Sequence, residues 1–131
     1  MQKIFRSLTF FALKLLGIKR LFSQDPVDYL QLRKSDRKKP PSRFYRKFTV
    51  AKQVLLETSI TTIHSPKQNI HPRQLILYIP GGAFISGPAP HHWDALYQIV
   101  HQTAIPVWLA DYPKAPAFDI QRINRNIDQV Y

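Results

Sequence analysis

Two continuous apolar runs, residues 74–79 (QLILYI) and 105–110 (IPVWLA), flank a stretch in which Trp93, Leu96, Ile99 and Val100 recur at helical spacing. Uninterrupted apolar runs of this length suit strands covered on both faces. Pro88 and Pro90 stand where a helix between the runs would begin. Strand, helix and strand within residues 74–110 have the size of a βαβ crossover, which makes the two strands parallel and predicts an α/β sheet. Upstream, residues 48–56 (FTVAKQVLL) and 58–64 (TSITTIH) are rich in β-branched and apolar side chains and predict two antiparallel neighbours. Downstream, Ile120, Ile123, Ile127 and Val130 begin a second helical stripe that reaches Tyr131 with no stop signal. A crossover helix without a third parallel strand has the pattern of a chain cut short, or of a short interaction domain with a frayed last helix.

Charge divides the 131 residues unevenly. Residues 1–52 hold 14 Lys+Arg against 3 acids, a net of +11, whereas residues 53–131 hold 5 of each. An argument about charged partners therefore concerns the N-terminal arm alone. The reading divides the chain into residues 1–47, a basic cap or anchor region, and 48–131, the sheet-bearing domain. In residues 1–22, Ile4, Leu8, Phe11, Leu15, Ile18 and Phe22 alternate at steps of four and three, with Lys3, Arg6, Lys14 and Arg20 mostly off that stripe. Such a helix either packs on a domain, which is the preferred reading, or lies on an anionic membrane surface. Lys14 interrupts the apolar stretch well short of the ~20 residues a spanning helix needs. Large and basic residues stand where a signal peptide would be cleaved. The expected location is accordingly the cytoplasm, with peripheral membrane contact through residues 1–22 as an option.

Residues 31–52 carry nine basic residues, one acid and Pro40-Pro41, the composition of a hinge. Phe44 and Tyr45 among those charges raise nucleic-acid binding, but no nucleic-acid fold signature accompanies them and a solvated linker explains the same composition. With no cysteine, the chain has neither a disulfide framework nor a thiolate nucleophile. His91, His92, Asp94 and His101 raise a metal site; the spacing favours surface or loop-lining histidines, and no metal or other cofactor is expected.

The segment with chemical content is residues 75–88, LILYIPGGAFISGP, in which a buried strand runs into adjacent glycines at its carboxyl end. Ligands in α/β sheets bind at that end. Glycines there let the backbone turn sharply and present bare N–H groups to a ligand oxygen, although a Gly-Gly pair alone is equally a plain tight turn. The string YIPGGAF, then HHWDALYQIVHQ, VWLADYPKAP and a further helix, resembles the α/β-hydrolase fold, in particular its hormone-sensitive-lipase-like esterase and lipase branch. The resemblance covers about residues 48–131 and implies an incomplete α/β-hydrolase sheet: two opening strands and one βαβ unit, preceded by basic helices where such enzymes often carry a cap. It implies that Gly81, Gly82 and Ala83 supply oxyanion-hole N–H groups. It also implies that Asp111, Tyr112, Ala115 and Pro116 form a second, structural motif near the site.

Two departures qualify the carry-over. Pro80 stands where the family has His, removing both a side-chain donor and a backbone N–H. No G-x-S-x-G occurs; Ser86, the serine nearest the loop, is flanked by Phe84-Ile85 and Gly87-Pro88 and forms no nucleophile elbow. The expectation is the N-terminal portion of a carboxylic ester hydrolase with an acyl-serine mechanism, acting on small acyl esters when complete and inactive without its triad. The alternative is a non-enzymatic basic module that docks on anionic membranes.

Overall fold

The computed structural model describes residues 23, 25–66 and 74–131. The amphipathic stripe of residues 1–22 lies outside the described residues. The chain divides into two compact units, residues 1–34 and 35–131.

In the first unit, helix α1 (Tyr29–Leu32) starts at Asp28, whose carboxylate accepts from Gln31 N at 2.9 Å and so satisfies one of the N–H groups a helix start leaves unpaired. A 3-10 turn, Arg33–Ser35, follows, with the Arg33 guanidinium 5.2 Å from the Tyr29 ring centre.

The second unit contains helix α2 (Ser42–Lys47), strands β1 (Thr49–Leu55), β2 (Thr58–His64) and β3 (Ile76–Tyr78), helix α3 (Pro90–Thr103), strand β4 (Val107–Asp111) and helix α4 (Ile120–Val130). The sheet order is β1-β2-β4-β3. β1 and β2 pair antiparallel from Thr49↔His64 to Leu55↔Thr58, as their composition suggests. β3 and β4 are parallel, so the βαβ reading holds. The two halves join through an antiparallel β2–β4 pairing from Ser59↔Asp111 to Ile63↔Val107. That pairing buries β2 in the middle of the sheet and leaves β1, with Lys52 and Gln53, as a largely exposed edge. β3 is shorter than its apolar run: Leu75 and Ile79 flank only three paired residues and are 45% exposed.

Alternation along the strands distributes the core to both faces. On one face Ile63, Val107 and Leu109 meet Trp93, Leu96 and Val100 of α3, together with Phe44 and Phe48. On the other, Ile60 and Ala110 meet Val130 of α4, flanked by Leu77 and Trp108. The first face is organised by aromatic edges. Phe44 sits 5.7 Å from Trp93 and 5.5 Å from Tyr97, ring centre to centre, both T-shaped, and Phe48 sits 5.2 Å from Tyr97. Each such pair contributes about 0.5–1.5 kcal/mol beyond the area it buries. The stretch read as a solvated linker therefore contains a helix whose Phe44 is fully buried. Six residues are too few for a helical period to show, and its packing partners lie about fifty residues further along.

A polar clamp ties α4 to the β1–β2 hairpin. Leu56, in the two-residue turn, takes a left-handed conformation (φ 51°), which a leucine sustains only under outside constraint. Asn126, 1% exposed, supplies it: its Oδ1 accepts from Glu57 N at 2.9 Å and Thr58 Oγ1 at 3.2 Å, and its Nδ2 donates to Glu57 Oε2 at 2.8 Å and Arg122 O at 3.0 Å. All four hydrogen-bonding capacities of that buried amide are used. Arg122 pairs with Glu57 as well, and this bond, with that from Asn126, holds the Glu57 carboxyl below its ordinary range.

Candidate active-site loop

The loop at the carboxyl end of β3 is built by sterics before any chemistry enters. Gly82 has φ 147°, and a side chain there would put its Cβ 2.1 Å from the carbonyl oxygen of Ser86. Only glycine fits such a turn. The turn closes because Ile85 N and Ser86 N both donate to Gly82 O, at 2.9 and 3.0 Å. Between them Ala83 (φ 53°) and Phe84 (φ 60°) are both left-handed. Two consecutive non-glycine residues in that region represent strain of about 1–3 kcal/mol each, which the surrounding contacts have to offset.

Those contacts come from three directions. From the residue directly after β4, the Tyr112 hydroxyl donates to the Pro80 carbonyl at 3.2 Å, and the Tyr112 ring lies 6.2 Å from that of Phe84. From the turn after β4, Ala115 N donates to Phe84 O at 2.9 Å. From upstream, Asp36 Oδ1 accepts from Gly87 N at 2.7 Å, while Arg37 N donates to Pro88 O and the Trp93 indole N–H donates to Arg37 O, each at 2.6 Å. The two motifs read as recurring in order are thus joined physically: Tyr112 grips the residue immediately before the glycine pair. Asp111 and Lys114 pair at 3.1 Å, and the Lys114 ammonium also sits 3.5 Å from the Tyr112 ring centre. Burial, aided by the neighbouring Asp111, pushes the Tyr112 phenol above its ordinary pKa, so it stays a neutral donor. Pro116 is exposed, and the second motif reaches the loop through Tyr112 and Ala115 instead.

Gly81, Gly82 and Ala83 lie together at the top of β3, Gly81 and Ala83 exposed and Gly82 half-buried. Among the described residues none of their three N–H groups donates to an acceptor. Pro80 is fully buried, and it serves the loop through its carbonyl. Ser86 takes part as a loop-closing amide and as the carbonyl that crowds Gly82.

His91, His92, Asp94 and His101 are not brought together as a ligand set. His92 Nδ1 accepts from Ala89 N at 2.9 Å and caps α3, which leaves its proton on Nε2. Its burial, then the adjacent His91, hold its pKa below the ordinary value, and Asp36 opposes them only in part. Asp94 pairs with Arg43, and His101 lies 3.4 Å from Lys47 Nζ. Among the described residues no three His, Asp or Glu side chains converge. Sequence reasoning missed Asp36: a lone aspartate in a basic stretch gives no sign that it caps a glycine fifty-one residues away.

A mixed sheet in the order β1-β2-β4-β3, with a glycine loop capping β3 and helices on both faces, is the amino-terminal part of an α/β-hydrolase fold. Within that fold the likeness is to bacterial esterases and lipases. A Staphylococcus aureus protein assigned to the esterases superposes with a TM-score of 0.63 at 28% identity, over 88% of this chain and 37% of that one. An esterase of the bacterial hormone-sensitive lipase family gives 0.56 at 20% identity over 65% of this chain and 28% of its own. An esterase/lipase from an uncultured bacterium gives 0.59 at 18% over 81% and 34%. The chain thus spans about a third of the length of these structures, and the sheet it forms is incomplete. No family model and no curated protein matches the sequence. Among the described residues no helix is long and apolar enough to cross a membrane.

Proposed function

We propose that these residues are the oxyanion-loop-bearing portion of a carboxylic ester hydrolase that works through an acyl-serine, with the sheet itself starting near residue 48 and the helix before it packed into the same unit. One observation carries this: the N–H groups of Gly81, Gly82 and Ala83 lack acceptors among the described residues, at the end of a parallel strand, in a loop gripped by Tyr112. Donors fixed in advance stabilise the oxygen that becomes negative when a serine attacks an ester carbonyl, and each is worth about a hundredfold to a thousandfold in rate. Pro80 fits this role better than its missing N–H suggests, because its carbonyl is the atom Tyr112 holds.

The 131 residues contain no G-x-S-x-G, and in this reading the serine nucleophile, its base and the acid that orients the base are supplied from outside them. The likeness to esterases supports a small acyl ester as the substrate of the completed enzyme. Purified, folded 131-residue protein is expected to leave p-nitrophenyl butyrate unhydrolysed. Fluorophosphonate labelling in the source cells is expected to mark a species well above 15.3 kDa that carries this sequence. Stoichiometric labelling of, or ester turnover by, the 131-residue chain itself would overturn the proposal.

A further inference from the structure

The largest feature that the ester-hydrolase reading leaves unused is the basic segment in front of β1. Residues 37–47 (RKKPPSRFYRK) contain six basic side chains and no acid. They are held in place on the second unit. Arg37 is fixed to the Pro88 carbonyl and the Trp93 indole, and Phe44 is fully buried among Phe48, Trp93 and Tyr97. The ridge is therefore a fixed part of the fold.

Its charges fall into two sets. Arg43 and Lys47 are engaged: Arg43 pairs with Asp94 and lies 4.7 Å from the Tyr97 ring centre, and Lys47 lies 5.4 Å from that ring and contacts His101. Arg37, Lys38, Lys39 and Arg46 are exposed and have no carboxylate partner among the described residues. The nearest acid in sequence, Asp36, is occupied by Gly87 N. Beside Arg46 stands Tyr45, 59% exposed, the single aromatic of the segment that faces outward.

We infer that residues 37–47 form a docking ridge for an anionic lipid bilayer, with Lys38, Lys39 and Arg46 against the headgroups and Tyr45 at the interface. Unpaired cations on a rigid element suit a surface of negative charge. A tyrosine offers the amphipathic body favoured at that boundary. A single-stranded nucleic acid would call for several aromatic faces in one groove. Here Phe44 and Phe48, the neighbouring aromatic side chains, are consumed by the core.

The test uses the whole 131-residue chain in a flotation gradient, which separates vesicle-bound protein from aggregate. Vesicles of phosphatidylcholine with about 30 mol% phosphatidylserine are expected to carry the protein upward at low salt, and to lose it at about 0.5 M NaCl, where screening reaches only a few ångströms. Pure phosphatidylcholine is expected to leave it behind. At about fivefold per basic residue, the triple variant Lys38→Gln, Lys39→Gln, Arg46→Gln is expected to bind about a hundredfold more weakly, although residues 1–22 are intact. Far-UV circular dichroism checks its fold. Should the triple variant misfold, Lys38→Gln with Lys39→Gln, both outside any helix, is expected to lose about twenty-five-fold on the same scale. The inference is overturned by absence of binding to anionic vesicles, by variants that bind like the parent, or by tighter, variant-sensitive binding to poly(U) than to vesicles.

Discussion

Replacing Gly82 by alanine tests the loop's construction at its tightest point. The new methyl would sit 2.1 Å from Ser86 O and 2.8 Å from Ser86 C. Carbon and carbonyl oxygen ordinarily rest about 3.3–3.6 Å apart, so Ser86 has to retreat by about 1 Å. Retreat breaks the two bonds that Ile85 N and Ser86 N make to Gly82 O, about 1 kcal/mol each. Alanine at φ 147° adds strain of about 1–3 kcal/mol. The sum, about 3–5 kcal/mol, is a large share of the ~5–15 kcal/mol a domain has available. Gly81→Ala provides the contrast: its Cβ would meet nothing within 4 Å and its backbone is not left-handed, so the cost stays within about 0.5 kcal/mol. Urea unfolding followed by tryptophan fluorescence measures both, and amide exchange at Ile85 and Ser86 shows whether the loop opens locally. Equal midpoints for the two variants, with unchanged protection at Ile85 and Ser86, would refute the reasoning.

Two further outcomes follow from the same geometry. Tyr112→Phe removes the hydroxyl from the Pro80 carbonyl and is expected to cost about 1 kcal/mol in the same urea experiment, with faster exchange in the loop and an unchanged far-UV spectrum. Burial holds the folded-state pKa of His92 below its ordinary 6.5, so protonation favours the unfolded chain. The stability His92 contributes is present above pH 6.5 and is lost as the pH falls through its lowered folded-state pKa. Thermal midpoints are therefore expected to drop over that window, and His92→Asn, which retains an acceptor for Ala89 N, is expected to remove much of the drop.

What the sequence disclosed followed from periodicity and composition. Residues 74–79 and 105–110 have no polar interruption because β3 and β4 lie between helical layers, and that made the crossover legible. The stripe from Ile120 marked α4 correctly in extent, but its buried members are Ile123, Asn126 and Val130, while Ile120 is half exposed. A buried asparagine looks polar in sequence, and its role appears only when the Glu57 turn is beside it. The glycine pair and the Asp-Tyr-Pro stretch were visible as separate strings. Their union through a phenol and a prolyl carbonyl was not, because a hydrogen bond across thirty-two residues leaves no local pattern. Phe44 and Asp36 were hidden for the same reason: each is surrounded by charge in sequence and defined by partners on distant elements.

Among the described residues, the supports of the Gly81–Ala83 loop come from residues between Asp36 and Ala115. In the proposed ester hydrolase, a strand that pairs with the outer side of β3 would meet a loop whose described supports already lie within these residues. On the proposed function the loop's supports and the serine nucleophile are separable parts, so the segment that brings the serine could change in length or sequence while the loop keeps its bonds to Tyr112, Ala115 and Asp36.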